Sequence, residues 1–167
     1  MTFEKNAHWV KDIHITPEPK NSTYAGLVSQ DTVRIVLTYA ALNGVDVYAC
    51  DIQSAYLKIP SYETHFILCG QYFGLENVWK KSLIIRTLYG KNCAGAEYWR
   101  HVWSAMYEIG CEFCKSEPDV WFRCAIKDSS TDYYQYVLLC TGGILAIMKN
   151  SEDFISHELG KIFVVKP

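Results

Sequence analysis

Two apolar runs separated by a pair of glycines constrain the fold of this chain more than any other feature of its sequence. Residues 138–141 read Leu-Leu-Cys-Thr, Gly142 and Gly143 follow, and residues 144–148 read Ile-Leu-Ala-Ile-Met. Glycine adopts the positive φ angles that tight hairpin turns require, and the flanking residues favour strands. We therefore predict a β-hairpin whose turn contains both glycines.

The rest of the pattern predicts a mixed α+β fold. Helical periodicity starts at Asp31, a candidate cap, and stops at Gly44, and a clearer helix runs from Ala94 to Ile109 and stops at Gly110. Apolar or β-branched runs predict strands at 45–52, 65–69, 83–86, 120–124, 133–139, 144–148 and 163–165. A short helix is expected at 53–57 and a last one from 151 to 160. Because hairpins interrupt an irregular succession of helices and strands, α+β fits better than a doubly wound sheet.

Length and composition limit the class of protein. The chain has 167 residues, half of them hydrophobic, which suits one domain or part of a larger one. Its net charge of −2 argues against a free-standing nucleic-acid binder, since such proteins are usually basic. The first residues do not resemble a signal peptide, and no stretch reaches the ~20 apolar residues of a membrane span. We expect an intracellular protein of the cytoplasm or nucleus, neither secreted nor membrane-bound.

The seven cysteines favour buried thiols over a disulfide framework. Their number is odd, and several lie within apolar runs, as Cys50 does. Cys111 and Cys114 have the spacing of metal ligands, but no second pair of Cys or His completes a zinc site. Strand packing is therefore the favoured role for this pair, and zinc binding or redox chemistry is the alternative.

Four separate segments share an order and a spacing that point to one protein family. They are residues 51–57 (Asp-Ile-Gln-Ser-Ala-Tyr-Leu), 88–90 (Leu-Tyr-Gly), 110–119 (Gly-Cys-Glu-Phe-Cys-Lys-Ser-Glu-Pro-Asp) and the hairpin at 138–147. With these segments the chain resembles the reverse transcriptase of copia-type LTR retrotransposons. The family's motifs are Asp-Val-x-x-Ala-Phe-Leu, Leu-Tyr-Gly-Leu-Lys-Gln, Gly-Phe-x-x-Ser-x-x-Asp-x and a hairpin with Tyr-x-Asp-Asp. The similarity in order and spacing extends from about residue 6 to the end.

The resemblance implies the fingers and palm of a right-hand polymerase, with an antiparallel palm sheet packed on helices. Residues 1–167 would form a single partial reverse transcriptase domain of the Pol polyprotein. The fingers would comprise about 1–26 and 59–95, and the palm about 27–58 and 96–167. The chain stops where the family's thumb begins, so we expect a truncated enzyme that lacks the thumb.

The resemblance also implies a chemistry that needs three carboxylates. RNA-directed DNA polymerases transfer nucleotides with two Mg²⁺ ions, which require hard oxygen ligands. Asp51 matches the first aspartate, although a helix N-cap is its other, compatible role. Gly142 and Gly143 stand at the positions of the other two aspartates, Cys140 replaces the tyrosine, and glycine has no side-chain oxygen. We therefore predict that Mg²⁺ binding is weak or lost and that the chain is catalytically inactive.

Other carboxylates do not replace the missing pair. Asp46 lies five positions from Asp51 on the same predicted strand, so alternation puts it on the opposite face. Glu152 and Asp153 belong to the helix that follows the hairpin and have no evident route to the site.

The nucleotide contacts that the resemblance implies are only partly present. Tyr56 matches the aromatic residue under the incoming sugar, with core packing as the alternative. Cys93 stands at the position of the family's glutamine in Leu-Tyr-Gly-Leu-Lys-Gln. Residues 6–8 read Asn-Ala-His where the family has Lys-Ala-Arg, so both cations that meet the triphosphate are absent. Binding of dNTP and of the RNA/DNA template-primer, the family's partners, is therefore in doubt.

Two other functions remain open from the sequence. In the first, the chain is a non-catalytic module that retains the palm fold and binds nucleic acid or protein. In the second, it is a relic without a selected function. Apolar palm surfaces left bare by the missing thumb would also promote self-association.

The three departures from Tyr-x-Asp-Asp suggest decay of one short stretch. Tyr to Cys and Asp to Gly are each reachable by a single A-to-G change, and the three changes fall within four codons. Sequencing the locus and its transcript should show codons for Cys140, Gly142 and Gly143 that differ from the family's by one such change. Codons that require more than one change would contradict this origin.

Overall fold

The computed structural model describes residues 27–89, 93–127, 131–140 and 143–166. They form a mixed α+β structure in which antiparallel strands are combined with a few helices. The chain divides into two compact units. The small unit is built around Tyr56–Tyr98, and the large unit combines Ala25–Ala55 with Trp99–Pro167. These bounds lie close to the expected 59–95 and to 27–58 with 96–167, and the identification of the units as fingers and palm stays a prediction.

The elements follow in chain order. The helices are α1 Gln30–Asn43, α2 Ala55–Lys58, α3 Ala94–Glu108 and α4 Ser151–Asp153, and α4 continues as a π-helical turn Phe154–Glu158 and a 3₁₀ turn Leu159–Lys161. Two further 3₁₀ turns occupy Gln71–Phe73 and Leu75–Asn77. The strands are β1 Asp46–Ile52, β2 Pro60–Leu68, β3 Lys81–Arg86, β4 Glu112–Phe113, β5 Val120–Lys127, β6 Thr131–Cys140, β7 Gly143–Met148 and β8 Val165–Lys166. Within the described ranges, no helix combines the length and apolarity needed to cross a membrane.

Helix α1 begins and ends with residues suited to those positions. The Ser29 hydroxyl accepts a hydrogen bond from the Thr32 backbone N–H at 3.1 Å, which satisfies one of the unpaired donors of the first turn. Asp31, the predicted cap, lies instead in the first turn and pairs with Arg34. Gly44 ends the helix as predicted, because its φ of 56° is a conformation that glycine adopts readily.

The large unit is organised by a six-stranded antiparallel sheet in the order β4-β5-β6-β7-β1-β8. Strands β7 and β1 lie inside the sheet, and Ile144, Ala146, Ile147 and Met148 of β7 are buried. On one face, Trp121 of β5 is fully buried and packs edge-on against the α3 rings of Trp103 and Tyr107. The predicted α+β class and antiparallel sheet are therefore confirmed.

The hairpin of β6 and β7 differs from its prediction at the turn. Cys140 and Gly143 are paired partners at the end of the ladder, so Gly143 is the first residue of β7. The prediction that Gly143 lies in the turn was wrong. The strand pairing includes Gly143, one residue closer to the turn than the apolar run of 144–148 indicates. Gly142 lies outside the described residues.

The small unit holds a two-stranded antiparallel sheet of β2 and β3. Strand β2 begins at Pro60, five residues earlier than predicted. Glu97 of α3 is buried, and its carboxylate accepts the Tyr62 backbone N–H at 3.0 Å and the Thr87 hydroxyl. A buried carboxylate with two donors is stabilised, and here it fixes the start of α3 to β2 and to the end of β3.

An arginine joins the last helical segment to the sheet of the large unit. Both terminal nitrogens of Arg123 on β5 donate to the Glu158 carboxylate at 2.7 Å, and one also donates to the Ile109 carbonyl at 3.0 Å. The guanidinium lies 5.0 Å from the centre of the Phe154 ring. Such a paired geometry is stronger than a single contact, and it holds the π-helical turn against the sheet.

Burial within the central sheet should dominate the stability of the large unit. We expect Ile147→Ala on β7, where the side chain is fully buried, to lower the free energy of unfolding by about 2–5 kcal/mol. The matched change Ile126→Ala on β5, where the side chain is 68% exposed, should lower it by less than about 1 kcal/mol. Urea denaturation measures both values. Equal losses in the two variants would contradict the assigned position of β7.

Candidate functional site at the end of strand β1

Asp51 lies near the end of β1, between two neighbouring strands. It is exposed, and its paired partners are Gly143 on β7 and Lys166 on β8. Residues that pair directly across antiparallel strands project from the same face of the sheet and lie about 5 Å apart. The structure therefore brings Gly143, where the sequence resemblance implies an aspartate, directly beside Asp51.

Gly143 faces a restricted space. A Cβ atom added at this position would lie 3.3 Å from the carbonyl oxygen of Cys50, which is tighter than an ordinary contact. The neighbouring backbone would have to move by a few tenths of an ångström to admit any side chain. Any side chain at residue 143 therefore requires a shift of the backbone rather than of a flexible side chain.

The electrostatics of this position do not favour a divalent cation. Asp51 supplies one carboxylate, and Gly143 on β7 supplies no side-chain oxygen. Lys166 on β8, the other strand beside Asp51, carries a positive charge. Two divalent ions require several negative charges around them, and a lysine beside them is repulsive. Among the described residues, no group of three or more His, Cys, Asp or Glu side chains is placed to hold a metal ion.

The other carboxylates named from the sequence lie elsewhere. Asp46 lies at the opposite end of β1, where its carboxylate accepts the Asn150 backbone N–H at 3.0 Å. Glu152 and Asp153 lie exposed in α4, close to Asp46 rather than to Asp51. Of the carboxylates considered from the sequence as metal ligands, Asp51 is thus the one that lies at this site.

Burial disfavours ionisation of the cysteines near the site. Burial and, to a smaller extent, the adjacent Asp51 carboxylate raise the pKa of Cys50 to about 11. Burial also raises the pKa of the Cys140 thiol, with a smaller contribution from Asp119. The thiolate form of both residues is therefore disfavoured at neutral pH.

The spacing of Cys111 and Cys114 does not produce a shared ligand position. The two residues of β4 separate them, so strand alternation directs the two side chains to opposite faces. Cys111 is buried beside Arg123 and Glu158, and burial raises its pKa to about 11. Cys114 is half-buried and contacts the Ser116 hydroxyl at 3.0 Å. The buried positions of Cys50, Cys69, Cys93 and Cys111 agree with the predicted packing role.

The two candidate nucleotide contacts lie in the small unit. Tyr56 is half-buried, with its ring centre 5.1 Å from that of Tyr89 and 5.5 Å from that of Tyr98, and burial raises its pKa. Cys93 is 3% exposed, and its thiol donates to Glu63 Oε2 at 3.2 Å. These contacts suit the packing role of both side chains, and the nucleotide-binding roles stay predictions.

Sequence reasoning missed several buried polar contacts. Glu63 Oε2 bonds both Cys93 and His65 Nε2, the latter at 2.8 Å. Asp119 is buried and accepts the Trp99 indole N–H at 3.1 Å. Asp119 closes one of the four family-like segments, and that signal could have identified it. The Glu63 contacts gave no such signal, because strand β2 was expected to begin only at residue 65.

Comparison of the chain with protein-family models, with curated proteins and with solved structures found no match in any of the three. The suggested ancestry therefore depends on the sequence segments and on the geometry around Asp51.

The buried thiols should make stability fall at alkaline pH. The pKa of Cys50 and of Cys111 rises from 9.0 to about 11, so the folded chain retains these protons where the unfolded chain releases them. Their contribution is complete below pH 9 and is lost as pH rises through 11, and it amounts to roughly 2–3 kcal/mol per thiol.

Urea denaturation under reducing conditions should show this decline, and a Cys50→Ala, Cys111→Ala variant should show a shallower one. Cys124→Ala is the matched control, since Cys124 is exposed. An unchanged slope in the double variant would contradict the assignment.

Proposed function

We propose that this chain contains the fingers and palm of a reverse transcriptase domain of the copia type that no longer polymerises DNA. The proposal combines the four sequence segments with the geometry of the sheet. Its ancestral activity is thus RNA-directed DNA synthesis. At present its metal site retains Asp51 and lacks the other two carboxylates.

The observation that carries the proposal is the pairing of Asp51 with Gly143. In the family that the chain resembles, two Mg²⁺ ions are held by one carboxylate on a central strand and two on a facing hairpin turn. Here Asp51 lies near the end of an interior strand, and Cys140 and Gly143 form the last pair of the neighbouring β6–β7 ladder. The resemblance in sequence named these positions without reference to strand pairing, so their adjacency is independent support.

Inactivity follows from the same geometry. With the ligands at residues 142 and 143 absent and Lys166 opposite Asp51, the site lacks the negative charge that two Mg²⁺ ions require. Without the ions, neither the primer hydroxyl nor the leaving pyrophosphate is stabilised.

A non-catalytic protein-binding module is the second candidate function. It is favoured by an apolar cavity of about 370 Å³ in the small unit, bordered by β3. The net charge of −2 argues against the nucleic-acid version of such a module. Micromolar, salt-sensitive binding to an RNA–DNA hybrid in a filter assay would reverse this preference.

Magnesium-dependent primer extension on a primed RNA template tests the inactivity of the chain. We expect no extension by the natural sequence, because its site offers one carboxylate where two metal ions need three. Measurable extension above a metal-free control would overturn the proposal that catalysis is lost.

Metal binding tests the ancestry separately, without requiring activity. Mn²⁺ titration followed by electron paramagnetic resonance should show tighter binding by the Gly142→Asp, Gly143→Asp variant than by the natural chain, by about tenfold or more. Asp51→Asn in the double variant should abolish the gain, while Asp46→Asn, a matched change at the other end of β1, should leave it. A gain that does not depend on Asp51 would contradict a shared metal site.

A further inference from the structure

Strand β3 has one edge, called here its free edge, that none of the described strands covers. In the part of the chain that the structure describes, β3 pairs with β2 along one side and with no strand along the other. Such an edge presents a row of backbone N–H and C=O groups that can accept another strand. Its central side chains are apolar and exposed, with Leu83 at 51% and Ile85 at 67%.

The apolar cavity of the small unit runs along this strand. Five consecutive residues, 82–86, line it, so the cavity follows the strand over most of its length. Leu57, Ile67, Phe73 and Leu88 supply further apolar walls. A cavity of about 370 Å³ of this kind suits the alternate side chains of an added strand.

The charges around the edge are predominantly positive. Lys81 begins β3, Arg86 ends it, and Lys58 lies close enough for its carbonyl to accept a bond from Arg86 at 2.6 Å. All three side chains are exposed. Of the acidic residues described in this unit, Glu97 is buried, Glu63 is half-buried and Glu76 is exposed. A partner with carboxylates at both ends of an apolar segment would complement this arrangement.

We infer that the free edge of β3 is a docking site for an extended segment of a partner protein in which acidic residues flank an apolar run. The segment adds a strand beside β3, places its apolar side chains in the cavity and directs carboxylates towards Lys81 and Arg86. The inference does not depend on the ancestry proposed above.

A second copy of this chain is a poorer occupant. In an antiparallel pair of two β3 strands, the beginning of each strand lies beside the end of the other. Lys81 of one copy would then approach Arg86 of its partner, and like charges at both ends oppose the pairing. An acidic partner meets attraction at the same two positions.

Fluorescence anisotropy with a labelled peptide in which Glu residues flank a central run of Val tests the proposal. We expect this peptide to bind the full chain saturably. The matched peptide in which Lys replaces every Glu should not bind. Arg86→Glu should weaken binding of the acidic peptide by about tenfold or more, as expected for a lost charge-assisted hydrogen bond. Arg34→Glu makes the same change at an exposed position of α1 in the large unit. It is the control and should leave binding unchanged.

Peptides N-methylated at alternate positions test the strand pairing itself. Only one edge of an added strand bonds to β3, so methylation of one alternate set should abolish binding and methylation of the other should not. Absence of saturable binding, or equal binding of both methylated peptides, would overturn the proposal. Preferential binding of single-stranded RNA to the same edge would overturn it, as would a stable dimer in sedimentation that Leu83→Lys dissociates.

Discussion

The pairing register of β6, β7 and β1 is the constraint on which the large unit depends. Strand β7 lies between the other two and carries buried side chains on both of its faces. Because successive side chains alternate between faces, a shift of one residue would exchange the residues on each face. The pairing of Asp51 with Gly143 is thus fixed by the burial of residues such as Ile147, which lie far from the site.

Much of the fold was predictable because its signals are local. Gly44 and Gly110 end α1 and α3 as predicted, and both have positive φ angles that few other residues adopt readily. The cap of α1 was misassigned because Ser29 and Asp31 both suit that position. Only the structure shows that Glu117, distant in sequence, accepts the Ser29 backbone N–H and the Thr32 hydroxyl at the start of α1. The two-residue strands β4 and β8 are too short to carry a periodic pattern, so β4 was missed and β8 was displaced.

The site was predictable only where sequence similarity named its residues. Asp51 and Gly143 were identified from motifs, but their adjacency depends on strand register, which a single sequence does not encode locally. Lys166 had no signal at all, because its position beside Asp51 depends on the pairing of β1 with β8. The Arg123–Glu158 pair likewise joins residues 35 positions apart, and neither residue belongs to a recognisable motif.

The close approach of Gly143 to the Cys50 carbonyl has a consequence for the evolution of this chain. Under the ancestry proposed above, selection on activity maintained an aspartate at this position despite its tight contact. Glycine then relieves the contact once activity is no longer selected, and neighbouring residues are free to change without regard to an aspartate. Restoring the carboxylate would then require spare stability in the sheet as well as a codon change. Loss at this position therefore acts as a ratchet, in which each further substitution makes the reverse step harder.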